Sequence, residues 1–197
     1  MPPAIRLALP GDVAAMLAIY TKVVRTSAIT FEYEPPSEAE FAERVATIAT
    51  KFPWLAYSSD GDVLGYAYAT TWRARVAYQW AVETTVYVRD DLHRRGVGRA
   101  LYGSLIACLR LQGYRLAIGG ITLPNAASVG LHETCGFRLV GVHGACGHKQ
   151  GRWHDVGFWE LELAPRTDVA PTPPAPPSAL AGTSAWEQAI ASGLAGT

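Results

Sequence analysis

One stretch limits what this chain can fold into more than any other. It reads Val86-Tyr-Val-Arg-Asp-Asp-Leu-His-Arg-Arg-Gly-Val-Gly-Arg-Ala-Leu101. An extended apolar segment over 82–88 runs through a glycine turn into a helix predicted over 98–112. Leu101, Leu105 and Leu109 give that helix an apolar stripe at four-residue spacing. Gly96 and Gly98 let the backbone come close to a ligand. The first N–H groups of the helix are unpaired and carry its positive end. Arg94, Arg95 and Arg99 add fixed charge, so a pyrophosphate suits the place. Two common phosphate motifs are excluded. Leu101 stands where a dinucleotide fold needs its third glycine, and the Gly-Lys-Ser/Thr of a P-loop is missing. The plain alternative is a helix start with two turn glycines.

The periodicity around this stretch alternates between helix and strand. Residues 5–8 read as a strand, and Pro10-Gly11-Asp12 opens a helix with Val13, Met16, Leu17, Tyr20, Val23 and Val24 on one face. Ser37-Glu-Ala-Glu40 is a capping box before Phe41, Val45 and Ile48. Residues 54–57 and 63–69 are strands around Ser59-Asp-Gly-Asp62. A strand over 115–123, a short helix over 125–135 ended by Gly136, and strands over 139–145 and 157–163 follow. This order predicts an α/β (α+β) domain: a mixed, mostly antiparallel sheet of about seven strands with helices on both faces. The domain spans 1–163. Residues 164–197 hold six of the thirteen prolines and the charges Arg166, Asp168 and Glu187 only. They read as a flexible Pro/Ala-rich tail, with a turn or two of helix over 184–194.

Bulk properties narrow the class. Of 197 residues, 49% are apolar, enough for one core, and the formal net charge is zero without a basic patch, which argues against nucleic acid. Cys108, Cys135 and Cys146 are an odd number without a close pair, which suits a reducing cytoplasm. No signal peptide and no membrane-length apolar run is evident. His143, Cys146, His148 and His154 are too irregularly spaced to make a metal site the expectation.

The turn His93-Arg-Arg-Gly-Val-Gly98 resembles the coenzyme A turn of the GNAT acetyltransferase superfamily. Asn125-Ala-Ala-Ser-Val-Gly-Leu-His-Glu-Thr-Cys-Gly-Phe137 is similar to that superfamily's second signature. Phe52-Pro-Trp-Leu55, Trp72-Arg-Ala-Arg-Val-Ala-Tyr78, Glu83-Thr-Thr-Val-Tyr-Val88 and Gly151-Arg-Trp-His-Asp-Val-Gly-Phe-Trp159 look like the phosphinothricin and methionine sulfoximine N-acetyltransferases. The resemblance implies a GNAT fold, acetyl-CoA as co-substrate, no metal, a homodimer, and acetylation of the α-amine of a glutamate-like small molecule. His93 departs from the usual Gln or Arg at the head of the turn, which implies weaker or pH-sensitive coenzyme binding at most. His132 stands where most of the superfamily has Tyr, and His is this subfamily's residue there.

Amine acetylation needs a base, donors for a developing oxyanion and a proton for the leaving thiolate. The resemblance puts the base at Glu83; by itself the residue could equally be a solvated or ion-paired strand carboxylate. It gives His132 a catalytic role, as acceptor from the amine or relay to the sulfur, against a structural histidine. The coenzyme is expected at Val86, Tyr87 and Val88 through their backbone, at Arg94, Arg95, Gly96, Val97, Gly98 and Arg99, and at Asn125 and Ser128, which also suit a helix cap. Arg73 and Arg75 could hold an acidic acceptor, or simply be solvated. Tyr78, Thr84, Thr85 and Lys149 match pocket positions of the family, and Phe31 is a candidate wall. A transferase for another amine and a non-catalytic acetyl-CoA-binding module are the competing functions. Retention of both Glu83 and His132 argues against the second.

Overall fold

The structure is a computed structural model that describes residues 2–196. Seven strands form one sheet in the order β1-β2-β3-β4-β5-β7-β6. The strands are β1 Ala4–Leu7, β2 Trp54–Ser59, β3 Asp62–Thr71, β4 Ala81–Val88, β5 Leu116–Leu123, β6 Arg138–Lys149 and β7 Arg152–Glu162. Only β4 and β5 pair in parallel; every other neighbour is antiparallel. Helices α1 Val13–Thr26 and α2 Glu38–Ala49 lie between β1 and β2, α3 Val97–Gln112 between β4 and β5, and α4 Ala126–Thr134 between β5 and β6. The expected element order is therefore the observed one.

Local chemistry explains most boundaries. The capping box forms: the Ser37 hydroxyl accepts from the Glu40 N–H at 3.3 Å, and Glu40 reaches back to the Ser37 N–H at 2.7 Å. Asp60 and Gly61 both take left-handed φ, as do Gln150 and Gly151, which gives two tight hairpin turns matched to the twist of their strands. The last two strands are longer than their sequence pattern. Register shifts between Leu139 and Gly141 and between His143 and Gly147, with Ala145 at φ 49°, interrupt the alternation that would have revealed their full length.

The sheet separates two apolar cores. Val82, Leu101, Leu105 and Leu109 lie on the α3 face, and Met16, Tyr20, Phe41, Trp54 and Tyr66 on the α1–α2 face.

The tail corrects an expectation. It does not run free but straps along α3. The Trp80 indole N–H donates to the Thr172 carbonyl at 3.0 Å, and Gln112 Nε2 donates to the Ala175 carbonyl at 2.7 Å. Helices α5 Pro177–Leu180 and α6 Ser184–Ala191 follow, and Trp186, Ala189 and Ile190 enter the α3-side core. The Ser104 hydroxyl donates to the Ile190 carbonyl at 2.6 Å and accepts from the Gly193 N–H at 3.1 Å. A Cβ on Gly193 would stand 1.8 Å from the Ala100 carbonyl oxygen. Proline density concealed a segment that buries few but large groups. We expect Trp186→Ala to cost about 3 kcal/mol. Thermal denaturation should show this as a Tm lower by roughly 6–12 °C, and an unchanged Tm would mean that the tail is not docked.

Candidate functional site

Strands β4 and β5 part soon after they meet. Their register is Ala81↔Leu116, Val82↔Ala117 and Glu83↔Ile118, and there the pairing stops. On its other edge β4 stays paired to β3 through Val88. The Arg89 N–H donates to the Leu64 carbonyl at 3.0 Å. The antiparallel alternation then turns the backbone of Thr85 and Tyr87 toward β3 and that of Val86 and Val88 toward the open edge. Two expectations change. Tyr87 does not offer its backbone to the fork, and its ring packs on Tyr20 at 5.2 Å and Tyr66 at 5.4 Å. Thr84 does not face an acceptor: it is buried in the crotch, and its hydroxyl donates to the Ile118 carbonyl at 3.2 Å.

The turn at the mouth of the fork has the geometry of an anion site. Arg94 has φ 63°, and Gly96 caps α3 at φ 82° without a side chain on the helix N–H groups. Arg94, Arg95 and Arg99 are exposed and form no ion pair among the described residues. Val97 is buried under the turn. Gly98 has a second reason to lack a side chain, because its Cβ would stand 3.1 Å from Leu131 of α4. His93 folds back, and its Nε2 donates to the Val88 carbonyl at 3.2 Å. Asn125 Oδ1 accepts from the Ser128 N–H at 3.1 Å, which is the capping role.

Glu83 and His132 flank the fork from opposite faces of the sheet. Glu83 shares the α1–α2 face with Tyr66 and Tyr68, since Glu83, Thr85 and Tyr87 lie opposite Thr70, Tyr68 and Tyr66 on β3. A Cβ on Gly120 would meet Glu83 Oε1 at 3.2 Å and Phe158 at 3.5 Å. Burial alone pushes the Glu83 carboxyl above its ordinary range. His132 lies on the α3 face, 4% exposed, in edge contact with Tyr102 and Phe137. A Cβ on Gly119 would strike His132 Nε2 at 2.4 Å. His132 Nδ1 donates to the Ser128 carbonyl at 2.8 Å, so Nε2 carries the lone pair that accepts from the Tyr102 hydroxyl at 2.9 Å. Burial lowers the His132 pKa, partly offset by the Ser128 carbonyl, and the ring is neutral near pH 7. Tyr102 and the glycine pair were missed by the sequence reading. The adjacent Gly119-Gly120 within a strand pattern was a signal for them.

On the Glu83 face, the α1–α2 loop meets the β6–β7 hairpin. Phe31 packs over Gly147 and lies 6.2 Å from His154. The Tyr33 hydroxyl donates to the His148 carbonyl at 2.6 Å. Lys149 is corrected from a pocket residue to a clamp: it is 3% exposed, and Nζ donates to the Val24 and Thr30 carbonyls at 2.7 and 2.9 Å. Trp72 meets Phe158 edge-on at 5.6 Å, and the Arg73 guanidinium lies 5.3 Å over Trp72. Arg75 precedes the exposed turn Val76–Tyr78. Thr85 is half-buried on the Glu83 face. Among the described residues, no three His, Cys, Asp or Glu side chains converge as a metal site.

Comparison with known proteins places this geometry. The chain matches the acetyltransferase (GNAT) domain family over residues 5–157. It is 39% identical over 175 residues to the phosphinothricin N-acetyltransferase of Streptomyces viridochromogenes, covering 89% of this chain and 93% of that one. It is 37% identical over 170 residues to the L-methionine sulfoximine/L-methionine sulfone acetyltransferase of Pseudomonas aeruginosa, covering 84% and 97%. The crystal structure of a phosphinothricin acetyltransferase from Sinorhizobium meliloti in complex with acetyl-CoA superposes with a TM-score of 0.83 at 36% identity, covering 87% of this chain and 94% of that one. The chain is thus an acetyl-CoA-dependent N-acetyltransferase, and it belongs to the GNAT acetyltransferase family.

Proposed function

We propose that the protein acetylates the α-amine of a small glutamate-like amino acid of the phosphinothricin or methionine sulfoximine/sulfone type, with both substrates bound together. The observation that carries this reading is a half-buried carboxylate, Glu83, at the point where β4 leaves β5. Acetyl-CoA supplies the acetyl group as a thioester. The open-edge backbone of Val86 and the Val88 N–H suit strand-like bonding to an extended amide, the Val88 carbonyl being held by His93. The bare end of α3 with Arg94, Arg95 and Arg99 suits a pyrophosphate.

In this reading Glu83 takes a proton from the acceptor ammonium or amine, directly or through one water. A Val86 or Val88 N–H receives the charge that develops on the thioester oxygen. Neutral His132 has its one N–H on the Ser128 carbonyl, so in this reading it relays through the Tyr102 hydroxyl on its Nε2, and that hydroxyl is the proton source for the thiolate that departs. Arg73, beside Trp72 and Phe158, and Arg75 are available to the acceptor carboxylate, and Phe31, Tyr78 and Thr85 to its wall. The free thiols of Cys108, Cys135 and Cys146 fit a cytoplasmic setting. Leu139, Val140 and Val142 on the edge strand β6 are 50%, 58% and 48% exposed, an apolar face that suits a second copy of the chain in a homodimer.

Glu83→Gln should lower turnover by about 10²–10⁴ and leave acetyl-CoA binding unchanged. The wild-type rate should fall as pH drops through the raised Glu83 pKa, because the protonated carboxyl cannot accept, and the variant should lose that limb. Wild-type turnover in Glu83→Gln would make the residue structural. Because Glu83 and His132 lie on opposite faces, the losses in Glu83→Gln and His132→Ala should multiply in the double variant. A double variant no slower than the worse single would instead show one shared proton path.

Saturating acetyl-CoA should raise thermal stability, by about 2.7 kcal/mol at a hundred times Kd. Gly98→Val should remove this effect in differential scanning fluorimetry, since its side chain would press on Leu131 and the coenzyme turn. Undiminished stabilisation in that variant would take the turn out of the coenzyme site.

A further inference from the structure

A cleft of about 320 Å³ opens between the C-terminal end of α1, the end of β5 and the β6–β7 hairpin. It lies on the Glu83 side of the sheet. Thr122, in its lining, follows Gly120 by two positions on β5, so both project to the same face, about 7 Å apart along the strand. Gly120 is the residue against Glu83 Oε1. The cleft therefore begins within one small amino acid's length of the carboxylate.

Its charge is one-sided. No carboxylate lines it, whereas Arg152 does. The other polar groups there are largely engaged: His154 Nε2 with the Lys149 carbonyl at 3.1 Å, and Asn125 Oδ1 with the Ser128 N–H. Arg152 forms no ion pair and no side-chain hydrogen bond among the described residues. The negative end of α1 would oppose an anion. Here Lys149 Nζ holds the Val24 carbonyl, and the Thr26 and Ser27 hydroxyls hold those of Lys22 and Val23. A second cleft, of about 620 Å³, between α1 and the ends of β3 and β4 is the contrast. Its Lys22 is paired with Asp90 at 2.6 Å and its Arg89 with Asp91 at 2.7 Å, and Asp62 adds a further carboxylate.

We infer that Arg152 receives the acidic side-chain group of the acceptor, while the α-amine sits at Glu83. The inference rests on the proposed function and deepens it. An arginine fork gives two parallel donors to the oxygens of a phosphinate or carboxylate, so it selects for acidic acceptors over neutral ones. The α-carboxylate is left to Arg73.

The test is a steady-state comparison of wild type, Arg152→Gln and Arg152→Lys by thiol release, with phosphinothricin, glutamate and methionine as acceptors. Arg152→Gln should raise KM for phosphinothricin about 10- to 100-fold, the loss of a charge-assisted pair. Its kcat, its KM for acetyl-CoA and its KM for methionine should stay within about twofold of wild type. Arg152→Lys should recover part of the loss, since it restores the charge without the fork. An unchanged KM for phosphinothricin, or an equal rise for methionine, would overturn the assignment while leaving the acetyltransferase reading intact. A wild-type enzyme that releases thiol with none of these acceptors, or only with methionine, would overturn both.

Discussion

The site depends on a ladder that stops. Beyond Glu83 and Ile118, β4 and β5 no longer bond to each other, yet β4 remains tied to β3 through Val88. Half of the β4 backbone between Thr84 and Val88 thus has no sheet partner on one side. Unpaired backbone groups held away from water are costly, so such an edge suits a ligand that brings its own amides. The parting itself is supported: Thr84 fills the crotch by donating to the Ile118 carbonyl, and Gly119 and Gly120 line the far bank without side chains.

Those two glycines also make room for an ionisable group on each face. Gly119 gives its missing Cβ volume to His132, and Gly120 gives it to Glu83 and Phe158. Each ionisable group is then desolvated by a different core. Burial raises the carboxyl pKa on one face and lowers the imidazole pKa on the other. The carboxyl becomes a stronger base and the ring stays neutral near pH 7, so burial drives the two groups in opposite directions across one sheet.

Helix α3 is held by the sheet on one side and by the C-terminal strap on another, with Ser104 bonded both ways to Ile190 and Gly193. The strap meets α3 from Gln112 back to Ala100, within one turn of the helix start at Val97. The α1–α2 loop is held in the same manner by Lys149 and Tyr33, which anchor it to the β6–β7 hairpin.

Much was legible in the linear sequence, because some physics is local. The apolar period of α3, the Ser37–Glu40 capping box and the glycines of the turn before α3 depend only on near neighbours, and their elements form where the pattern puts them. Glu83 was legible as a carboxylate on an apolar strand. What stayed hidden depends on groups distant in sequence. Lys149 looks like a pocket cation until it meets carbonyls of Val24 and Thr30. Thr84 and Thr85 are indistinguishable in sequence, yet the pleat buries one at the crotch and turns the other to the Glu83 face. The tail looks solvated by composition, but Trp186 and Ile190 find a core that α3 and β1 leave open. Sequence alone determined which elements form and what chemistry the chain carries. The tertiary structure decided which face, partner and degree of burial each group receives, because desolvation and hydrogen bonding are set by residues far along the chain.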